Sequence, residues 1–196
     1  MSSSSRIDGM PRWEPAAEAR LLDAALALFE ERGYDQTTVA EIAERAGLTK
    51  RTFFRYFADK REVLFWGASR IEDLFTGAIQ SAPPTAAALE AVALGLEAFG
   101  RSLQGQGEVA ARRIRIVRTS PELSERQLIK FASMAETAAR ALRSRGISAD
   151  AAVLAAETGM TVFRVATARW LEDTSAKPLP QLVAEAFAQL RAVASA

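Results

Sequence analysis

The sequence has no cysteine and no histidine among its 196 residues. These two absences exclude disulfide bonds, thiol nucleophiles, imidazole bases and the usual zinc ligands. There is no Glu-x-x-His metal motif either, so no named enzymatic reaction is supported. We expect a protein that is not an enzyme and that binds no cofactor or metal.

Strand signals are scarce as well. β-branched residues are scattered, no stretch alternates polar and apolar residues, and alanine and leucine are abundant. A composition of 49% hydrophobic and 25% charged residues is ordinary for a globular protein. The predicted fold class is therefore all-α, with about nine helices in total.

Long hydrophobic runs are missing too. No segment offers the roughly 18 uncharged apolar residues that a membrane-spanning helix needs. The start of the chain, MSSSSRIDGM, is polar and lacks the apolar run of a signal peptide. We expect a cytoplasmic protein with no membrane partner.

The net charge of +1 hides an uneven distribution of charge. Residues 45–61 contain six basic residues against one acidic residue, Asp59, so this window carries +5. A solvated helix face and a nucleic-acid-binding surface both explain such a run, and charge alone does not decide between them. The basic residues are Arg45, Lys50, Arg51, Arg55, Lys60 and Arg61.

The basic window overlaps a pattern typical of a helix-turn-helix, at residues 37–64. Gly47 interrupts a first run of apolar residues at helical spacing and can adopt the left-handed conformation that reverses the chain. Thr38 and Thr49 stand where each helix would start, and each can accept a hydrogen bond from a free backbone amide. Glu41, three residues after Thr38, completes a capping box. The pattern predicts two short helices that cross steeply, with Val39, Ile42, Ala43, Ala46, Phe53 and Phe57 as their buried residues.

Apolar residues at helical spacing predict further helices on both sides of this motif. A long helix capped by Asp59 is expected to run to about Gln80, before Pro83 and Pro84. Ser120, followed by proline, and Ser148 are expected to act as N-caps. The remaining helices are predicted at 15–32, 85–103, 108–118, 121–145, 148–171 and from 178 onward.

Five short motifs occur together, in order and spacing, within this region: Gly33-Tyr34-Asp35, Thr37-Thr38-Val39, Ile42-Ala43, Ala46-Gly47 and Tyr56-Phe57-x-x-Lys60. They resemble the N-terminal DNA-binding domain of the TetR family of transcriptional regulators, over roughly 20–64. The resemblance implies a homodimer, a palindromic operator of double-stranded DNA, and a C-terminal domain that dimerises and binds a small-molecule effector. The predicted domains are a flexible arm at 1–12, a helix-turn-helix DNA-binding domain at 13–60 and a ligand-binding and dimerisation domain at 61–196.

Carried over position by position, the resemblance assigns four residues to the DNA phosphates. Thr38 and Thr49 lie at helix starts, where free amides and the helix dipole favour an anion. Tyr56 and Lys60 match positions that hold the phosphate backbone on the flanks. These contacts would position the protein without reading sequence.

Three further residues, Lys50, Arg51 and Thr52, are assigned to the bases, and a fourth, Phe54, lies where a tyrosine hydroxyl would bind a phosphate. Lys50 and Arg51 are expected to read base edges, and the planar fork of Arg51 fits guanine O6 and N7. Thr52 can contact a thymine. Phe54 departs from the family, which often has tyrosine there, so its ring can pack against sugar or a thymine methyl but cannot donate a hydrogen bond.

The larger domain carries only weaker signals for an effector site. One arginine within 108–118, among Arg112, Arg113, Arg115 and Arg118, could anchor an anionic ligand, although solvated or ion-paired arginines are the simpler interpretation. The last two predicted helices are rich in small residues and suit a four-helix bundle formed by two chains, or a monomeric bundle. Candidate pocket residues, each also a candidate for ordinary core, are Phe99, Leu103, Ile114, Val117, Phe131, Met134, Met160 and Phe163.

The leading interpretation is a ligand-responsive transcriptional regulator, a repressor that binds its operator as a homodimer and is released by a small apolar or amphipathic molecule. Symmetric helix-turn-helix dimers read half-sites about one turn of DNA apart, so a modest tilt would abolish binding. In the resembled family the long helix after the motif transmits that tilt. The alternative is an all-α small-molecule-binding protein or enzyme without DNA binding.

Overall fold

The computed structural model describes residues 14–172 and 177–195, and the predicted arm at 1–12 lies outside these ranges. The described residues form nine α-helices and no β-strand, which confirms the all-α prediction. Within the same ranges, none of the helices combines the length and apolar character needed to cross a membrane. The helices are α1 (Glu14–Arg32), α2 (Val39–Arg45), α3 (Lys50–Tyr56), α4 (Ala68–Gln80), α5 (Ala88–Gly105), α6 (Glu108–Thr119), α7 (Pro121–Ser144), α8 (Ala149–Glu172) and α9 (Leu179–Ala194).

The chain divides into two compact units, the first ending at Trp66 and the second beginning at Gly67. In the first unit, α1 packs against α2 and α2 packs against α3. Phe53 and Phe57 are buried, as predicted, with ring centroids 5.4 Å apart. Burial of these two rings fixes one side of α3 against the rest of the first unit and leaves its other side exposed.

The second unit is a helical bundle built around one large apolar core. Helices α4, α5, α7, α8 and α9 supply the residues of this core, which include Phe75, Leu96, Leu142, Phe163 and Phe187. Helix α6 packs against α7, and none of its described residues belongs to that core. Removing these large side chains from water is the main stabilising contribution to such a bundle.

The prediction of one long helix from Asp59 to Gln80 is wrong for the residues before Ala68. Residues 60–67 form successive turns, in which the amide of Leu64 donates to the carbonyl of Arg61 at 2.9 Å, and α4 begins only at Ala68. Asp59 does cap backbone amides, those of Arg61 and Glu62, but no α-helix follows directly. Tertiary burial of this segment within the first unit outweighs its helical periodicity. The helix proposed to run on from the DNA-binding motif is therefore not continuous.

The other predicted helix ends hold to within a few residues, with one change in capping. Ser120 stands at the N-cap of α7 with Pro121 at the first helical position, but the Ser120 side chain makes no capping hydrogen bond. Helix α5 starts at Ala88 rather than at residue 85. At this start, the amide of Ala87 donates to Glu90 Oε2 at 2.9 Å. Helix ends depend on individual hydrogen bonds that apolar periodicity does not reveal.

Candidate nucleic-acid interface

The first helix of the motif starts with the capping box that the sequence predicts. The amide of Glu41 donates to Thr38 Oγ1 at 3.3 Å, and the amide of Thr38 donates to Glu41 Oε2 at 2.9 Å. This backbone hydrogen bond from Thr38 lowers the pKa of Glu41. The Thr38 hydroxyl also donates to Glu41 Oε2 at 2.8 Å. This hydrogen bond must break before the Thr38 hydroxyl can donate to a phosphate, because a hydroxyl has only one proton.

The turn between α2 and α3 is held by backbone and side-chain contacts together. Gly47 has a φ of +65°, and the amide of Leu48 donates to the carbonyl of Ala43 at 2.8 Å. The guanidinium of Arg20, on α1, donates to the carbonyl of Ala46. A side chain from the supporting helix thus satisfies the C-terminal end of α2 and orients the turn toward α3.

Replacing Gly47 with alanine is expected to destabilise the first unit by about 2 kcal/mol. Left-handed backbone costs a non-glycine residue about 1 kcal/mol. A Cβ at this position would lie 2.6 Å from Arg20 Nη2 and would push the guanidinium off Ala46, which adds about 1 kcal/mol. Chemical denaturation followed by circular dichroism measures the change.

Gly33→Ala is the matched control, because Gly33 has a φ of +84° and a Cβ there would meet nothing within 4 Å. It should lose only about 1 kcal/mol. In an Arg20→Met background the two alanine variants should cost the same. Equal losses in the wild-type background would contradict the proposed role of Arg20.

The second motif helix, α3, starts at Thr49 as predicted. The amide of Thr52 donates to Thr49 Oγ1 at 3.1 Å, and the two threonine hydroxyls lie 3.0 Å apart. Only one of the two hydroxyl protons is needed for that contact, so the other is left to donate outward. The pair can therefore offer one hydrogen bond to a ligand without losing the helix cap.

The exposed side of α3 carries Lys50, Arg51 and Phe54, while Phe53 is fully buried on its opposite side. The ring of Phe54 is 56% exposed and meets the edge of the Phe53 ring at a centroid distance of 5.5 Å. Leaving so large an apolar side chain in water is unfavourable unless something covers it. Two cations beside an exposed aromatic ring make a surface suited to nucleic acid.

Across the described ranges, some basic residues of the 45–61 window are paired with carboxylates and others are not. Arg45 Nη2 lies 2.5 Å from Glu31 Oε1 and Arg61 Nη2 lies 2.7 Å from Asp59 Oδ2. The hydrogen bonds from these arginines lower the pKa of Glu31 and of Asp59. Among the residues that the structure describes, Lys50 and Arg51 find no hydrogen-bonding or ion-pair partner. The positive charge still available to a ligand is therefore concentrated at the start of α3.

Arg55 is a candidate residue that the sequence interpretation did not single out. Its Nη2 donates to the Tyr56 hydroxyl at 3.0 Å, and its guanidinium carbon lies 5.0 Å from the centre of the Tyr56 ring. Arg51 and Arg55 are four residues apart on one helix and so share a face. That spacing was the signal available in the sequence.

Lys60 does not extend away from the protein. Its Nζ donates to the backbone carbonyls of Tyr34 at 2.8 Å, Asp35 at 3.3 Å and Thr37 at 3.0 Å. It also lies 4.2 Å from the centre of the Tyr34 ring. The ammonium group thereby uses all three of its donors inside the first unit.

Six of the eight candidate effector residues lie in or against the core of the second unit. Phe99, Met134, Met160 and Phe163 belong to its core, and Leu103 and Phe131 pack against that core. The rings of Phe99 and Phe163 are stacked with centroids 4.6 Å apart. The other two, Ile114 and Val117, lie on α6 outside the core.

The arginines of α6 differ in environment. Arg115 lies 2.6 Å from Glu108 and Arg118 lies 3.9 Å from Glu172, both at the surface. Arg113 is buried, donates to Gln106 Oε1 at 3.0 Å, and has its pKa lowered by burial to about 10. At neutral pH it is therefore still a cation, the only arginine of this helix that the structure places in the interior.

Comparison with known proteins points to one family. Residues 21–65 match the family model described as bacterial regulatory proteins of the tetR family. The HTH-type transcriptional regulator TcmR of Streptomyces glaucescens is 33% identical over 138 residues, which cover 67% of this chain and 61% of TcmR. The transcriptional regulator MftR of Mycobacterium tuberculosis is 28% identical over 156 residues, 78% of this chain and 79% of MftR. The match to TcmR thus spans about three fifths of that protein.

Solved structures show the same fold. SmeT, the repressor of the Stenotrophomonas maltophilia multidrug efflux pump SmeDEF, superposes with a TM-score of 0.59 at 22% identity, covering 86% of this chain and 85% of SmeT. A SmeT–triclosan complex superposes with a TM-score of 0.60 at 20% identity, covering 89% of this chain and 91% of SmeT. TcmR and MftR are transcriptional regulators, in line with the expectation that the chain is not an enzyme. With its helix-turn-helix, its helical second unit and these relatives, the chain belongs to the TetR family of transcriptional regulators.

Proposed function

We propose that the chain is a cytoplasmic transcriptional repressor that binds a palindromic operator as a homodimer and is released by a small apolar or amphipathic molecule. Residues 13–60 would bind DNA, and residues 61–196 would dimerise and bind the effector. The observation that carries the proposal is the pair of cations Lys50 and Arg51, which lie on the exposed side of α3 beside Phe54 and have no partner within the described part of the chain. Uncompensated positive charge at the start of α3 is the electrostatic feature that binding to DNA phosphates and base edges requires.

Base reading and phosphate binding are proposed for different residues. Lys50 and Arg51 would enter the major groove, where the arginine fork suits guanine, with Thr52 and Phe54 near thymine methyl groups. Thr38, Thr49 and Tyr56 would bind phosphates on either side. Arg55, held by Tyr56, joins this set because its guanidinium is already ordered before DNA arrives.

Dimerisation is proposed through α8 and α9. Helix α8 exposes Val153, Leu154 and Val165, with Leu154 69% exposed. Helix α9 exposes the small residues Ala184, Ala188 and Ala192, which allow another helix to approach closely. Two helices of this kind from each of two chains form a four-helix bundle and remove the exposed apolar side chains from water.

The effector site is proposed within the core of the second unit, around Phe99, Met134, Met160 and Phe163. Methionine side chains are flexible, so such a cluster can open around an apolar ligand. The fold neighbour SmeT has been solved with triclosan, a small molecule that makes a practical first probe. A compound that binds here should both raise the melting temperature and release the protein from its operator.

The salt dependence of duplex binding tests the proposed function. If the chain neutralises even two phosphates, raising the salt from about 50 mM to about 200 mM should weaken binding about tenfold. The reason is that binding releases condensed counterions from the DNA, and this release is less favourable at higher salt. Fluorescence anisotropy with a random duplex, then with a duplex selected from a random pool, measures the effect. Absent or salt-insensitive binding would reject DNA binding and favour a small-molecule-binding protein.

A further inference from the structure

The loop that leads into the helix-turn-helix is held by one side chain from beyond the recognition helix. Lys60 reaches back over the Tyr34–Thr37 loop, and its Nζ lies within 3.3 Å of three carbonyl oxygens, those of Tyr34, Asp35 and Thr37. These carbonyls precede Lys60 by 26, 25 and 23 residues. The contact therefore ties the entry of α2 to the exit of α3.

The same loop is fixed from its other side by Thr37. Its hydroxyl, which is buried, lies 2.9 Å from the carbonyl of Gly33 and 3.3 Å from that of Leu28. Tyr34 packs its ring against Phe29 on α1, and the Lys60 ammonium lies over that ring. Together these contacts link the end of α1, the loop and the end of α3 into one connected network.

We propose that Lys60 is a positioning residue, which sets the orientation of α2 relative to α3 through the Tyr34–Thr37 loop rather than by binding a DNA phosphate. An ammonium has three hydrogen-bond donors, and all three are directed at the loop carbonyls. A phosphate contact would require it to abandon one of them. This inference rests on the proposed function for its effect on DNA, while its effect on the loop is independent of that function.

The two roles predict opposite results for Lys60→Arg. Arginine binds phosphate at least as well as lysine, so a direct contact would be preserved. Three carbonyls that converge on one point suit a compact ammonium, whereas a planar guanidinium directs its donors outward in one plane. We expect both Lys60→Arg and Lys60→Met to lower operator affinity about tenfold, the effect of losing a charge-assisted hydrogen bond.

The experiment compares wild type, Lys60→Arg, Lys60→Met and the matched control Lys177→Arg on a duplex selected from a random pool by the wild-type chain. Lys177 makes a surface ion pair with Glu185 at 3.1 Å in the second unit, and its replacement should leave affinity unchanged. Circular dichroism at the assay temperature establishes that each variant is folded. The salt slope of Lys60→Met should match wild type, since no phosphate contact is lost.

Wild-type affinity in Lys60→Arg would overturn the inference, as would a fall of about 0.9 per chain in the salt slope of Lys60→Met. Amide hydrogen exchange gives a second readout that needs no DNA. The amide of Thr37, which donates to Tyr34 at 3.3 Å, should exchange faster in both Lys60 variants. If wild type binds no duplex, the proposed function fails, and unchanged exchange at Thr37 would separately reject the role of Lys60.

Discussion

Replacing Leu154 with glutamate is expected to split the proposed homodimer and to lower operator affinity by at least about a hundredfold. Leu154 is the most exposed large apolar side chain on α8, at 69%. Two carboxylates brought together in an apolar four-helix interface would lose their hydration without gaining partners. Linked half-site binding is commonly worth about 10² to 10⁴ in affinity, and a monomer loses that gain. Analytical ultracentrifugation measures the dissociation and anisotropy measures the affinity.

Leu128→Glu provides the matched control. Leu128 is also a leucine on a helix of the second unit, 55% exposed, but it lies on α7 rather than on α8 or α9. We expect this variant to remain dimeric and to bind its operator as wild type does. A dimeric Leu154→Glu, or a monomeric Leu128→Glu, would place the interface elsewhere.

Replacing Arg51 with alanine is expected to lower affinity for the selected operator about 5- to 150-fold, equivalent to about 1–3 kcal/mol, and to remove the preference at one base pair. The guanidinium is exposed at the start of α3 and has no partner among the described residues that would compete for it. A panel of duplexes with each base pair substituted in turn locates the position that Arg51 reads.

Arg51→Lys separates shape from charge at the same site. It should bind random duplex like wild type, because the charge is kept, but lose most of the preference, because an ammonium cannot pair bidentately with guanine. Arg101→Ala removes an exposed arginine from α5 and should change neither property. If Arg51→Ala weakened every duplex of the panel by the same factor, Arg51 would be a phosphate contact.

Much of the helix-turn-helix was predictable because its signals are local. The capping box of Thr38 and Glu41, the cap at Thr49 and the turn at Gly47 involve residues within three or four positions of one another. Burial of Phe53 and Phe57 follows from helical periodicity in the same way. Their pattern in the sequence is therefore enough to specify their structure.

The run of turns at 60–67 was not predictable from the same rules. Val63 and Leu64 have helical spacing with later apolar residues, yet both are buried in the first unit, and Trp66 donates to Glu18 on α1. The local preference for helix is worth only a few tenths of a kcal/mol per residue, while burying such a side chain is worth about 2 kcal/mol. Packing therefore decided the backbone of this segment.

The sequence by itself determined an all-α chain, the place of the helix-turn-helix and the concentration of cations at its second helix, because composition, periodicity and caps act over a few residues. Only the tertiary structure decided which cations stay available. It pairs Arg45 with Glu31, holds Arg55 on Tyr56 and turns Lys60 back onto the Tyr34–Thr37 loop, while Lys50 and Arg51 have no partner in residues 14–172 and 177–195. The physical reason is distance along the chain: contacts such as those of Arg45 and Lys60 join residues 14 to 26 positions apart, which only folding brings together.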